Sequence, residues 1–536
     1  MSLPISIARR SVSALAAALL LVLCAAGSAS AASTYSNPVL SGDYPDPSIV
    51  RDGRDFYATT TTSNWAPLFP ILHSRDLVNW QVVSAVFRNR PGWSEGRYWA
   101  PEITKVNGGW VVHYTAKMRG GRLCIGAATA HAATGPYTDR GPIVCDPGVG
   151  DIDPATVRDE LGRLFLIWKE DGSIVPGAPG PLTRMFAQRL SEGGWEVLGP
   201  RAELTRNGDG WERGGIEGPF VVRQGGWFYL FYSGDDCCGV PCQYATGVAR
   251  SRKLFGTFEK YAGNPILFAR GPWLCAGHGS VVNDGRGRWY MLYHSYSQPD
   301  VGYVGRKMML DRVSWPPGGW PSINGGGGPS VVAPSPFGAP QRKLELRALD
   351  DFTSAPLTPE WQWPQSSKPR VRVRRGWLEL AQQDYVARHP LFSQDPFGAI
   401  LGRSTASGRY VAETVVDVRS LRGRAGLAVV GTPSSVIGAL VDRGGGLQLV
   451  QRTVGKDVVV ASARVRRPSR LNLRVSARLG HLFRFEYSTD GRRFQPLGGE
   501  VDGAYLPPTD LGVRVSLVVG GARDAFGAFD LFRVGR

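Results

Sequence analysis

The chain has 536 residues, of which 43% are hydrophobic and 20% charged, with 69 Gly, 39 Pro and 16 Trp. That balance excludes a disordered or low-complexity protein and leaves enough apolar material for two to four packed domains. The formal net charge is +17, and residues 341–536 hold 30 Lys and Arg against 18 Asp and Glu. The basic runs in that half, 370–375 and 464–467, are short, so they read as a solvated face and no nucleic-acid partner is expected.

Residues 1–31 carry Arg9 and Arg10, an apolar run over 14–26 and the small-residue pattern Ala29-Ser30-Ala31. This reads as a secretory signal peptide, so a secreted protein, extracellular or periplasmic, is expected. The apolar run is too short for a comfortable membrane span, no other span is apparent, and no membrane partner is expected. Loss of Cys24 with the leader leaves six cysteines, an even number suited to disulfides in an exported chain. Cys124 and Cys145 are plausible partners across neighbouring strands, and Cys237, Cys238, Cys242 and Cys275 form a second group. Whether Cys237 and Cys238 join each other is left open by the sequence.

From residue 46 one pattern occurs five times. Asp46 opens DPSIVRDGRDFYATT, Ala100 opens APEITKVNGGWVVHYT, Asp153 opens DPATVRDELGRLFLIW, Glu217 opens EGPFVVRQGGWFYLFY and His278 opens HGSVVNDGRGRWYMLYH. Each unit is a lead residue, Pro or Gly, a short apolar strand, a tight turn, and a strand dense in aromatic and β-branched residues. The leads are 54, 53, 64 and 61 positions apart. That period, with about four strands per unit, predicts a five-bladed β-propeller, in which equivalent positions ring the central axis. Asp46, Asp153, Glu217 and His278 are therefore expected in one cleft. The echo of Ser-Arg-Asp-Leu at 74–77 in Ser-Arg-Lys-Leu at 251–254 is expected to mark blade boundaries.

The motifs YPDPS (44–48), HSRDLVNW (73–80), WAPEI (99–103), DIDP (151–154), IEGPF (216–220) and GHGS (277–280) together resemble glycoside hydrolase family 43 over about residues 35–335, within a propeller domain expected over 35–338. The resemblance implies an inverting hydrolase acting on arabinose- and xylose-containing glycans, with Asp46 as general base, Glu217 as general acid and Asp153 tuning that acid. It also implies that Arg306 touches substrate and that His278 lies beneath the sugar, near a possible calcium or its waters. No cofactor is required on this reading, and calcium stays possible.

The chemistry asks for the same residue types. Inversion needs one ionised carboxylate to activate water and one protonated carboxyl to protonate the leaving oxygen. Glu217 must then keep its proton, and a negative Asp153 beside it is expected to raise its pKa. Among the aromatic residues near the leads, Trp65, Trp93, Tyr98, Trp99, Trp211 and Trp273, the one directly before the second lead, Trp99, is expected in the cleft.

After the Pro- and Gly-rich stretch 315–340, short strands recur without helical periods, which predicts a β-sandwich over 348–536. It resembles the concanavalin-like domain that follows many family 43 β-xylosidases. The whole is read as all-β, a propeller followed by a sandwich. The function expected is release of arabinofuranose or xylose from plant-type polysaccharide or oligosaccharide. An endo-acting arabinanase and a non-catalytic sugar-binding propeller are the alternatives.

Overall fold

The computed structural model describes residues 1, 33–171, 183–239, 241–299, 301–342, 348–383, 395–466, 468–507 and 510–535. Apart from Met1, the expected leader lies outside them. The described residues contain no α-helix, and none of their helical segments is long and apolar enough to cross a membrane.

Five four-stranded antiparallel sheets follow one another along the chain. Blade 1 runs from Ser48–Asp52 to Gln81–Phe87, blade 2 from Ser94–Val106 to Thr138–Val144, and blade 3 from Gly150–Arg158 to Val197–Arg206. Blade 4 runs from Ile216–Gln224 to Glu259–Lys260 and blade 5 from Trp273–Asn283 to Ser322–Ile323. The first strands of successive blades touch in ring order, blade 5 closing on blade 1. Second strands are covered on both faces, as in Leu164–Asp171, where every residue is buried, so they read as continuous apolar runs. The outermost strands alternate instead; Gln81–Phe87 exposes every other residue of its first half. A clasp completes the ring, because Thr34–Ser36 pairs with Val332–Pro334 and the Asn37 amide donates to Leu310 O and Ser330 O.

The Ser-Arg-Asp-Leu echo marks a different place from the one expected. Residues 74–77 and 251–254 each follow the third strand of a blade, Leu68–Ser74 and Ala245–Ser251, and precede the fourth. The repeated motif is therefore a turn inside the blade. The serine is what the two turns share: Ser74 accepts the Leu77 N–H and Ser251 the Lys253 N–H, while Asp76, which accepts from Val78 and Asn79 in the first, is replaced by Lys253 in the second.

The second body is a β-sandwich. One sheet carries Arg370–Arg374, Trp377–Ala381, Phe526–Gly535, Tyr410–Asp417, Arg470–Arg478 and Leu482–Ser488 in that order; the other has six strands and includes Arg424–Thr432, Ser435–Asp442 and Arg514–Gly520. Between them lies one apolar core that includes Trp361, Leu427, Phe485 and Phe529. The sandwich is fastened to the propeller by backbone pairing of Trp363–Pro364 with Trp65–Ala66. Trp65 itself is buried among Phe397, Ile400, Val430 and Leu511 of the sandwich. Beside it, Asp43 of the propeller and Arg514 of the sandwich form a fully buried ion pair at 2.7 Å.

Candidate active site

Each blade's first strand is broken at its lead by a two-residue bulge. The unpaired residues are 100–101, 153–154, 218–219 and 278–279, and Asp46-Pro47 occupies the same place before Ser48–Asp52. The first residue of each bulge has positive φ: Asp46 52°, Ala100 40°, Asp153 58°, Gly218 60° and His278 45°. In blade 4 the structural counterpart of Asp46 is therefore Gly218, and Glu217 stands one residue earlier than the repeat predicts. Charge had set the phase in that unit; the true register follows the residue before proline, Gly218-Pro219. The shift matters, because Glu217 shares its ring position with Trp99 and Ile152, and all three line the central cavity.

A second ring lies behind the bulges, on the second strands: Thr61, Thr115, Lys169, Ser233 and His294. Four of them hold the next blade's bulge by its backbone. Ala100 N–H donates to Thr61 Oγ1 (2.6 Å), Asp153 N–H to Thr115 Oγ1 (3.1 Å), His278 N–H to Ser233 Oγ (2.8 Å) and Asp46 N–H to His294 Nδ1 (3.2 Å). Blade 3 is the exception. There Gly218 N–H donates to Asp153 Oδ2 (3.0 Å), which frees Lys169 to donate to Glu217 Oε2 at 3.0 Å. In the sequence each of these residues stands at or just after the end of an aromatic-rich run, but Thr, Lys, Ser and His share no chemistry that marks the position.

The cavity holds about 440 Å³ and takes in Asp46, Trp99, Asp153, Glu217, His278 and Arg306. The structure thus brings every expected residue together. Asp46 is buried; its Oδ1 accepts from Arg306 Nη1 (2.8 Å) and lies 3.1 Å from His294 Nδ1 and 3.6 Å from His278 Nδ1, while Oδ2 accepts from Thr61 Oγ1 (2.7 Å). Burial alone would favour the neutral acid, but Arg306, then His278 and His294, hold the carboxyl far below its usual range. His294, buried beside Arg306, is pushed down to about 4 and is neutral near pH 7.

On the other side of His278 the balance is different. Asp153, Glu217 and the His278 imidazole have ligand atoms within 4.8 Å of one another. Burial, reinforced by Glu217, raises Asp153 to about 6. Glu217 moves the opposite way from the sequence expectation: burial would raise it, but Lys169, His278 and the Tyr244 hydroxyl (2.7 Å to Oε1) together lower it. The reason is Lys169, an ammonium that outweighs the negative Asp153.

Asp153, Glu217 and His278 are the only group among the described residues whose atoms could gather about a cation. They offer two carboxylates and one imidazole with Lys169 already on Glu217, so water would supply most of the six to eight ligands that calcium takes.

Of the other aromatic residues near the leads, Trp93 stacks on Tyr114, Trp211 packs against Tyr232, and Tyr98 and Trp273 are buried in blade cores. Trp99 remains partly open, with its indole N–H donating to Ser63 Oγ (2.7 Å). Ser63 in turn donates to Asp510 Oδ2 of the sandwich, and Arg306 Nη2 donates to Asp510 O (3.1 Å). The second domain therefore reaches the cavity wall through a residue 447 positions from its partner, and nothing in the sequence pattern pointed to it. The six cysteines pair as Cys124–Cys145, Cys237–Cys238 and Cys242–Cys275.

Comparison with known proteins agrees with this architecture. Residues 35–321 match the profile of glycosyl hydrolases family 43, and residues 349–521 that of the β-xylosidase C-terminal concanavalin A-like domain. A xylan 1,3-β-xylosidase of Vibrio sp is 29% identical over 399 residues, 67% of this chain and 70% of that protein. A xylosidase/arabinosidase of Butyrivibrio fibrisolvens is 30% identical over 311 residues, 55% of this chain and 57% of that protein. A relative from Escherichia coli is matched over 64% of its length, a little under two thirds. The crystal structure of the GH43 protein BlXynB from Bacillus licheniformis superposes with a TM-score of 0.78 at 26% identity, covering 94% of this chain and 99% of the other. With a profile that spans more than half its length and the same pair of domains, the chain belongs to glycosyl hydrolases family 43.

Proposed function

We propose that this protein is a secreted glycosidase that removes single arabinofuranose or xylose residues from the ends of plant-type polysaccharides or oligosaccharides, with inversion at the anomeric carbon. The observation that carries the reading is the division of charge around His278. Asp46 is held ionised by Arg306, whereas burial raises Asp153 to about 6 beside Glu217, so that below that pH this pair keeps a proton. Asp46 takes a proton from water as that water attacks, and Glu217 protonates the leaving oxygen.

The lowered pKa of Glu217 is compatible with its role as acid. With Lys169 donating to Oε2, the proton of the pair favours Asp153. A glycosidic oxygen has lone pairs and no hydrogen to give, so Glu217 can hydrogen-bond to it only as the protonated acid. Approach of that oxygen draws the proton from Asp153 to Glu217, and Asp153 acts as the local store. The relatives named above, a xylan 1,3-β-xylosidase and a xylosidase/arabinosidase, support a pentose. Charge supports a neutral sugar, because seven carboxylates line the cavity against Arg97, Lys169 and Arg306, and a uronate would be repelled. Closure of the rim by Asp510 favours a pocket over an open groove, hence terminal action.

Assay on aryl β-xyloside, aryl α-L-arabinofuranoside, linear arabinan and xylan, with products identified, tests this. Monosaccharide as the first product supports the reading. Oligosaccharides from arabinan as first products would replace it with endo action, and no hydrolysis of any of the four would refute it.

A further inference from the structure

The loop that leaves the second strand of blade 4, after Trp227–Gly234, carries Asp235, Asp236, Cys237 and Cys238 into the cavity wall. The last two are joined to each other, and both are partly exposed. A second disulfide, Cys242–Cys275, ties the same loop to the first strand of blade 5, three residues before His278. Two cross-links on one short loop fix its backbone; only the second is needed to anchor it. The adjacent pair therefore calls for another explanation.

Its surroundings supply one. The cavity is rich in charge, and apart from glycines its apolar lining among the described residues is confined to Trp99, Ile152, Cys237 and Cys238. Cys237 packs on one side against the cluster of Tyr244, Cys275 and Tyr296. Tyr244 is the residue that donates to Glu217, and Arg306 Nη1, which donates to Asp46, lies 3.7 Å from Cys237 Sγ. The disulfide thus sits between the partner of one carboxylate and the partner of the other, with carboxylates of Asp235 and Asp236 alongside. A pyranose or furanose ring has an apolar face and a rim of hydroxyls. A polarisable, rigid, apolar surface next to hydroxyl-accepting carboxylates matches both parts.

We infer that the Cys237–Cys238 disulfide is a substrate-binding surface, against which the apolar face of the terminal pentose packs, and that it helps set the protein's preference for sugars. The inference rests on the glycosidase reading and adds a determinant that lies outside the acid, the base and their partners. Two free thiols or two alanines at these positions leave a softer and smaller surface, so binding weakens while the groups that act on the bond stay in place.

The first test is kinetic, on the aryl pentoside that the wild-type protein cleaves. In Cys237→Ala/Cys238→Ala, KM is expected to rise about tenfold with kcat within about threefold of wild type. Cys124→Ala/Cys145→Ala, which removes a disulfide from blade 2 outside the cavity, controls for loss of a cross-link as such and should leave KM unchanged. An unchanged KM in the first variant, or a fall in kcat alone, would overturn the inference.

The second test needs no variant. Free xylose and free L-arabinose, each at saturation, should slow reduction of Cys237–Cys238 by a phosphine, read by mass spectrometry of the alkylated peptides, and leave Cys124–Cys145 unaffected. Equal reduction rates with and without both sugars would count against the disulfide surface. Failure of the wild-type protein to cleave any pentoside would instead remove the glycosidase reading, so the two failures are told apart.

Discussion

Lys169 Nζ lies 3.0 Å from Glu217 Oε2, both groups facing the cavity in which Asp153 is raised to about 6. An ammonium at that distance favours the ionised carboxyl, yet Glu217 has to deliver a proton. The arrangement sets where activity falls with pH. Below about 6 the Asp153–Glu217 pair retains one proton and can act; above it the proton is lost and kcat/KM should drop about tenfold per pH unit. In Lys169→Met the charge that lowers Glu217 is gone, so its pKa rises and the alkaline limb should move up by about one unit or more. A pH–rate profile in which the two proteins share the same alkaline limb would remove Lys169 from this role.

The acid side should be flat. Asp46 must be ionised to act, and Arg306 holds it far below the ordinary carboxylate range of about 4. Wild type should therefore lose no kcat/KM down to the pH at which the fold itself fails. Arg306→Met removes the nearest positive charge, Asp46 rises, and an acid limb should emerge in which activity falls as pH decreases. The same profile recorded on both proteins checks this, and an unchanged acid side in the variant would contradict it.

Asp46→Asn and Glu217→Gln should each keep the fold and lower turnover by on the order of 10² to 10⁴. Circular dichroism and thermal melting verify the fold, and initial rates on an aryl pentoside verify the loss. Wild-type rates in Asp46→Asn would sink the assignment of the base.

The sequence made the ring legible because one physical cause repeats five times. A residue before Pro or Gly, then an apolar strand, then an aromatic strand, is what a blade needs wherever it stands in the chain, so Asp46, Asp153 and His278 fell into place. Glu217 carries the charge of a lead but stands one residue ahead of the true marker, a bulge with positive φ, which in blade 4 falls on Gly218. The column Thr61, Thr115, Lys169, Ser233, His294 falls at one place in every unit, but its members differ in chemistry, and Lys169 lacks even the backbone acceptor role that the other four share. Tyr244 and Asp510 were not legible at all. The first arrives on an irregular loop, the second from another domain, and neither position is set by any local period.

Gly218 gives a sharp test of that register. Its φ is +60°, and a Cβ there would lie 3.0 Å from Cγ of His278. Gly218→Ala should therefore displace the imidazole that neighbours both Asp46 and the Asp153–Glu217 pair. Activity is expected to fall by at least about tenfold, while the melting temperature shifts only modestly. Full activity in this variant would place the bulge elsewhere.

The domain contact makes a prediction about stability. Asp43 accepts from Arg514 Nη1 (2.7 Å), Gly512 N–H (3.1 Å) and Arg306 N–H (3.2 Å), all out of solvent. Arg514→Met leaves a buried carboxylate without its counter-charge, which typically costs about 3 to 5 kcal/mol. Because Arg306 hangs from the same Asp43, activity should decline together with stability. Denaturant titration of the full chain measures the cost, and a loss under about 1 kcal/mol would show that the pair contributes little.

Asp46 lies 3.6 Å from the His278 imidazole, and Asp153 and Glu217 gather within 4.8 Å of that same residue. The carboxylate proposed as base and the one proposed as acid thus both neighbour one imidazole. Retention would need the two carboxyls about 5 to 5.5 Å apart, with one of them free to attack carbon; inversion uses a wider gap of roughly 6.5 to 9.5 Å that admits a water. Asp46 is poorly placed as a nucleophile, since Arg306 and Thr61 already engage its two oxygens. It is well placed to orient a water and take its proton. The sugar should therefore be displaced once, and its anomeric configuration inverted. Proton NMR of the first-formed pentose, recorded before mutarotation, reads the outcome directly. A product with the substrate's configuration would require a covalent intermediate, and the role of Asp46 as base would fall.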